Sequence, residues 1–129
     1  MSNLSHEGNS WVSGNASVSG DAKVFGNANV FGDADVSGNA RVYGNVNAYG
    51  DASVFEDARV YGNATVCEDA RVFGNANVSG NVMISDDADV FGNANVFGDA
   101  DVSGNARVYG SVNVSGNADI SGHAIIFGG

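Results

Sequence analysis

The chain has 129 residues, 43% of them apolar, with 19 glycines and no proline; this fits one domain with a buried core and excludes collagen and proline-rich linkers. Fifteen acidic residues against five basic give a net charge of −10, which repels phosphate backbones and anionic lipid, so neither nucleic acid nor a membrane is expected as a partner. The single cysteine excludes an internal disulfide, and no apolar run approaches the roughly 18 residues of a spanning helix.

Residues 1–7 lack the basic start and apolar stretch of a secretory signal. They read as a leader or partial N-terminal cap on a soluble, cytoplasmic protein. Residues 8–129 form the repeat domain. From Gly8 to Phe127 the sequence divides into twenty hexads without insertion or deletion, each near Gly-Asn/Asp-Ala-x-Val-Ser/Phe/Tyr. Slot three is Ala in sixteen hexads and slot five is Val in sixteen, so Ala-x-Val has the in-out-in period of a short strand. Gly in slot one and Asn or Asp in slot two supply the bend.

A strand this short must pair with copies of itself. Three bends of about 120° close a triangular coil of eighteen residues, so twenty hexads make about six and two-thirds coils, roughly 30 Å long at a rung spacing of about 4.8 Å. The predicted class is all-β, a single-stranded parallel β-helix. At Val46 and Ala48 the large and small residues trade slots within one hexad, which conserves the inward volume.

With these hexads, and with the run Gly-Asn-Ala-Arg-Val-Tyr-Gly at Gly38 to Gly44 and Gly104 to Gly110, the chain resembles the bacterial hexapeptide-repeat superfamily, and within it YdcK-like and phage-associated repeat proteins. The resemblance implies a left-handed coil, against the general right-handed rule for parallel crossovers. It also raises an enzymatic alternative, since many proteins of this fold are acyltransferases acting on acyl-coenzyme A or acyl-carrier donors. Those enzymes typically have an extruded loop, a general-base His at a subunit boundary and a terminal helix. The hexads leave no room for such a loop. The histidines are His6, in the leader, and His123, in a slot-two corner where it reads as a replacement for Asn. The related zinc-dependent carbonic anhydrases need three His ligands, which one corner His cannot supply.

Stacking the sequence in eighteens places side chains in columns. Asp33, Asp51, Asp69 and Asp87 share one column, and Glu68 and Asp86 replace Gly at the same corner. This acidic edge is a candidate Ca²⁺ site, because a hard cation relieves stacked carboxylates; well-solvated surface carboxylates are the alternative. No other cofactor is expected. Lys23, Arg41 and Arg59 form a basic stripe on outward slot four, expected to pair with nearby acids or to receive an anionic partner or the acidic edge of another copy. Asp35, Ser53, Arg71, Asp89 and Arg107 form a column of mixed charge, to which alternating signs give a structural explanation. Asn77, Asn95 and Asn113 are expected to hydrogen-bond from rung to rung.

All eleven Phe and Tyr residues occupy slot six, just before a corner. Phe55, Phe73, Phe91, Tyr109 and Phe127 form one ladder and Phe25, Tyr43 and Tyr61 a shorter one, self-stacked or available as an apolar interface. Cys67 shares the slot, taken as outward, and its neighbours Glu68 and Asp69 are expected to raise the thiol pKa and keep it unreactive.

A second repeat lies over the first: Asp21 to Ala48 match Asp87 to Val114 at 25 of 28 positions, 66 residues on. Eleven hexads is not a multiple of three, so the copies fall on different faces, as duplicated filler does. At the C-terminus Ile125, Ile126 and Phe127 bring no capping helix, and at the other end Leu4 and Trp11 alone are available as cover. The sequence therefore predicts a non-catalytic structural or assembly solenoid. It is expected to form homo-oligomers through its ends or an aromatic edge; an acyltransferase-like enzyme and a cation- or partner-binding module stand as alternatives.

Overall fold

The structure, a computed structural model, describes residues 11–128. The leader and Leu4 lie outside the described residues. Each hexad contributes one short strand on slots four and five, for twenty strands in all, and the chain visits three parallel sheets in rotation. Face one starts with Trp11–Val12 and runs to Asp119–Ile120; face two runs from Ser17–Val18 to Ile125–Gly128; face three runs from Lys23–Val24 to Asn113–Val114. They hold seven, seven and six strands. Every paired residue is eighteen positions from its partner, as in Ser17 with Asp35 and Arg41 with Arg59.

The register comes from the backbone. Residues in slots two, four and six donate their N–H to the carbonyl seventeen residues on: Asn15 to Gly32 at 2.8 Å, Ser17 to Ala34 at 3.0 Å, Ser19 to Val36 at 2.9 Å. At corners between faces one and two, and between two and three, a further bond closes the bend. There the slot-three amide donates to the slot-six carbonyl before it, as from Ala16 to Ser13 at 3.3 Å. The predicted in-out-in pattern holds: slot-three Ala and slot-five Val are buried along the solenoid while slot four faces out. Val46 and Ala48 are both buried, and in the same column Val46, Ala64, Val82 and Ala100 alternate large over small. Each buried Val contributes about 1.5–3 kcal/mol relative to exposure.

The corners differ in what they tolerate. Between faces three and one, slot one is Gly on every described rung, with φ from +70° to +81°. Non-glycine residues at positive φ occur at the other two corners alone: Glu56, Glu68 and Asp86, all near +60°. At Gly80, φ is +79° and an added Cβ would stand 2.7 Å from the Gly98 carbonyl oxygen and 2.9 Å from its nitrogen, both backbone atoms of the next rung. At Gly116, with φ +70°, it would meet nothing within 4 Å.

A substitution pair separates conformational strain from rung contact. Gly116→Ala is expected to lose about 1–2 kcal/mol, the left-handed penalty alone. Gly80→Ala is expected to lose roughly 1–2 kcal/mol more through the added contact. Urea melts of the two variants check the difference, and equal losses would show that the rungs give way at no cost.

Candidate functional site

Because a hexad's outward residues stand directly over those eighteen positions away, the surface is a set of ladders. Asn side chains use this most directly. Asn27, Asn45, Asn63, Asn81 and Asp99 form an unbroken chain in which each amide nitrogen donates to the next side-chain oxygen at 2.9–3.2 Å. Asn77, Asn95 and Asn113 do the same at 2.9 Å, as expected from the sequence. His123 joins one such ladder, its Nδ1 3.4 Å from Asn105 Nδ2. This is the geometry of a residue standing in for Asn, with Nδ1 accepting in the tautomer that carries its proton on Nε2.

The aromatic ladders are also continuous. Ring centroids from Phe55 through Phe73, Phe91 and Tyr109 are 4.8–4.9 Å apart and near parallel; Phe127 follows at 5.5 Å. Phe25, Tyr43 and Tyr61 stack at 4.8 and 5.0 Å, and Phe31 on Tyr49 at 5.0 Å. Each offset pair is worth about 0.5–1.5 kcal/mol beyond its buried area. Most of these rings are half-buried; the more exposed large apolar residues include Phe31, Met83, Phe97, Ile125 and Phe127, the last 66% exposed.

Slot six is thus less open than its place before the corner suggests, and the expectation for Cys67 is corrected accordingly. The thiol is buried, 5% exposed, because it continues the column of Phe31 and Tyr49 and is covered within it. Burial is the main force raising its pKa, with the Glu68 and Asp86 carboxylates adding to it and a hydrogen bond with Tyr49 opposing. The same hydrogen bond raises Tyr49, since its hydroxyl keeps its proton beside the thiol.

The acidic edge stands where the columns put it, at the corner between faces one and two. Asp33, Asp51, Asp69 and Asp87 are exposed, and Glu68 and Asp86 flank them on adjacent rungs. Among the described residues no three His, Cys, Asp or Glu side chains converge as a cage; the carboxylates form a line, one per rung, with Glu68 and Asp86 added beside it. Asp86 Oδ2 accepts the Gly104 N–H at 3.1 Å, and at the corner between faces two and three Glu56 Oε1 accepts the Gly74 N–H at 3.0 Å. Two of the three carboxylates that replace Gly, Glu56 and Asp86, thereby satisfy a corner amide one rung on. This role was missed in the sequence, although an acid in slot one followed eighteen residues later by Gly is a signal for it.

The basic residues divide by face. On face two, Arg71 Nε meets Asp89 Oδ1 at 3.1 Å, the one ion pair among the described residues; being exposed at the Arg end, it contributes at most about 1 kcal/mol. On face three, Lys23 stands against Arg41 and Arg41 against Arg59. Contrary to expectation, no ion pair joins them to nearby acids among the described residues; Asp57 Oδ1 accepts from Asn39 Nδ2 at 3.2 Å and Glu56 Oε1 from the Gly74 N–H at 3.0 Å. A groove of about 530 Å³ lies along this stripe, lined by Asn39, Arg41, Asp57, Arg59, Asn75 and Asn77. Another of about 490 Å³ on face two includes Arg71, Asp87, Asp89, Arg107 and His123.

The YdcK beta-solenoid repeat family matches at residues 58–72 and 100–116. In these two segments the chain is similar to the YdcK solenoid repeat. The second matched segment contains Gly104 to Gly110, one of the two heptapeptides that carried the resemblance in the sequence. Comparison with curated proteins and with solved structures finds no match. Among the described residues no helix is long and apolar enough to cross a membrane.

Two outcomes follow from these ladders. Cys67 is expected to react with a thiol reagent at pH 8 at least about tenfold more slowly in the native protein than in urea, because the buried thiol stays protonated above its ordinary range. Fast native labelling would contradict its burial. Glu56→Ala should cost about 1 kcal/mol, losing the contact to Gly74 while keeping the positive φ; Glu56→Gly, which also relieves the strain, should melt near the parent temperature.

Proposed function

We propose that the chain is a non-catalytic structural solenoid that works by associating with itself. The carrying observation is how its outward side chains are used: from Trp11 to Gly128 every rung continues the same eighteen-residue register, and the Asn and aromatic ladders, with Glu56 and Asp86, bond to their own kind or to the neighbouring rung. Such ladders supply stiffness. Among the described residues the side-chain hydrogen bonds that build them join amide to amide or carboxylate, and acid to backbone amide; transfer chemistry of the acyltransferase kind calls instead for a nucleophile set against a base. His123, the residue that an enzymatic reading would need, hydrogen-bonds within its ladder.

Self-association draws support from apolar surface that solvated monomers seldom show in register. The ladder from Phe55 to Phe127 is a continuous half-exposed rim along the corner between faces two and three, and Phe97 and Met83 stand exposed elsewhere. A dilution series followed by sedimentation velocity or light scattering tests the reading, with a mass that rises with concentration expected. A monomer at every concentration would refute it. The double substitution Phe73→Ser and Phe91→Ser, with circular dichroism to confirm the fold, is expected to reduce association through the aromatic rim; an unchanged mass would remove the rim from the interface while leaving other surfaces open.

A further inference from the structure

Face three carries two outward ladders on the same hexads. Lys23, Arg41 and Arg59 occupy slot four; Phe25, Tyr43 and Tyr61 occupy slot six, two residues on and therefore on the same side of the strand. Cations directly opposed across strands repel one another. Among the described residues none of the three forms an ion pair, although Asp21 and Asp57 stand two residues before Lys23 and Arg59; Asp57 accepts from Asn39, and Glu56 beside it accepts from Gly74. All three are exposed, and Arg41 and Arg59 line a groove together with Asp57 and the side chains of Asn39, Asn75 and Asn77. A stack of cations beside an apolar ladder, on a chain of net charge −10, thus carries no ion pair of its own among the described residues.

The counter-charge of matching period is on the chain itself. Asp33, Asp51 and Asp69 are spaced by the same eighteen residues as the stripe, each ten residues after the corresponding cation: Lys23 with Asp33, Arg41 with Asp51, Arg59 with Asp69. A constant offset means one axial shift of about half a rung, some 2–3 Å, brings all three acids level with all three bases. The two ladders cannot meet within one molecule. The acidic edge lies at the corner between faces one and two, the corner of the triangle that face three does not touch. A second copy displaced sideways sets its acidic corner on face three of the first.

We infer that face three is a docking surface for the acidic edge of a second copy of this chain, with Lys23, Arg41 and Arg59 engaging Asp33, Asp51 and Asp69 rung by rung. This rests on the self-association proposed above and names its surface. Since the edge and the face lie on opposite sides of the molecule, the contact is heterologous. Each added copy leaves a free face at one side and a free edge at the other, so the product is an open lateral row rather than a closed dimer. The −10 charge opposes approach at long range, but at physiological ionic strength that repulsion is screened within about 8 Å while opposed charges in contact still attract. A nucleic-acid strand would suit the cations less well, because the ring faces it would stack on are covered by one another.

The test uses two charge reversals of the full chain. The face variant carries Arg41→Glu and Arg59→Glu; the edge variant carries Asp51→Lys and Asp69→Lys. All four sites are exposed, and matching far-ultraviolet spectra and melting temperatures establish that both variants fold; Arg41→Gln with Arg59→Gln serves as a milder face variant. At near-physiological salt the parent is expected to form higher-mass species that dissociate near 1 M salt, and each variant alone to associate about tenfold more weakly or not at all. An equimolar mixture of face and edge variants is expected to regain association, since each then offers what the other lacks. If the parent associates and the face variant does so equally, the docking surface is wrong while the assembly reading stands. If the parent is monomeric throughout, both fall. Binding of a short DNA duplex to the parent that the face variant loses, with no association in the mixture, would overturn the inference in favour of a polyanion.

Discussion

Every surface property of this molecule depends on the hydrogen bond from a slot-two, slot-four or slot-six amide to the carbonyl seventeen residues further on. That bond fixes the register, and the register places each residue over its equivalent one coil away. A column is therefore populated by whatever residue type the repeat puts in its slot. For Val and Ala the result is a core. For Asn it is a chain of amide bonds, and for Phe and Tyr a stack of rings. Charge is the exception, because a like charge is what a charge least tolerates directly above it. The columns of Asp33 to Asp87 and of Lys23 to Arg59 are where the repeat works against its own stability.

What the sequence made legible was column membership. The inward Ala and Val, the Asn77 to Asn113 chain and the Phe55 to Phe127 ladder all follow from period alone, since rungs in register leave a side chain no choice of neighbour. What period does not convey is depth and direction. Slot six was taken as outward, yet Cys67 is buried because Tyr49 and the flanking column cover it. Nor does period show where a flexible carboxylate turns: Glu56 and Asp86 reach the next corner's amide, and Asp57 accepts from Asn39. Two of these contacts, those of Glu56 and Asp57, engage acids at the corner beside the basic stripe, where the expected ion pairing is not seen among the described residues.

The internal duplication makes the same point with identical segments. Arg41 and Arg107 lie in the same heptapeptide, Gly-Asn-Ala-Arg-Val-Tyr-Gly. Arg41 falls on face three between Lys23 and Arg59, and Arg107 on face two, next in the column to Asp89. Local sequence is the same and the electrostatic setting is opposite. Neighbours are chosen by coil phase, so a side chain's environment is decided by residues eighteen away rather than by those beside it in the chain.

A solenoid of three hexads per turn thus has a phase as well as a length. Adding three hexads lengthens every ladder and leaves all of them intact. Adding one hexad keeps the Ala and Val lining continuous, since all three faces contribute the same inward residues, but it rotates everything beyond it by a third of a turn. The ladders on either side of the insertion would then join as mismatched halves, ring over serine and acid over base. Genetic drift in repeat number could in this way rewrite the exterior of the molecule in a single event while its interior registered almost nothing.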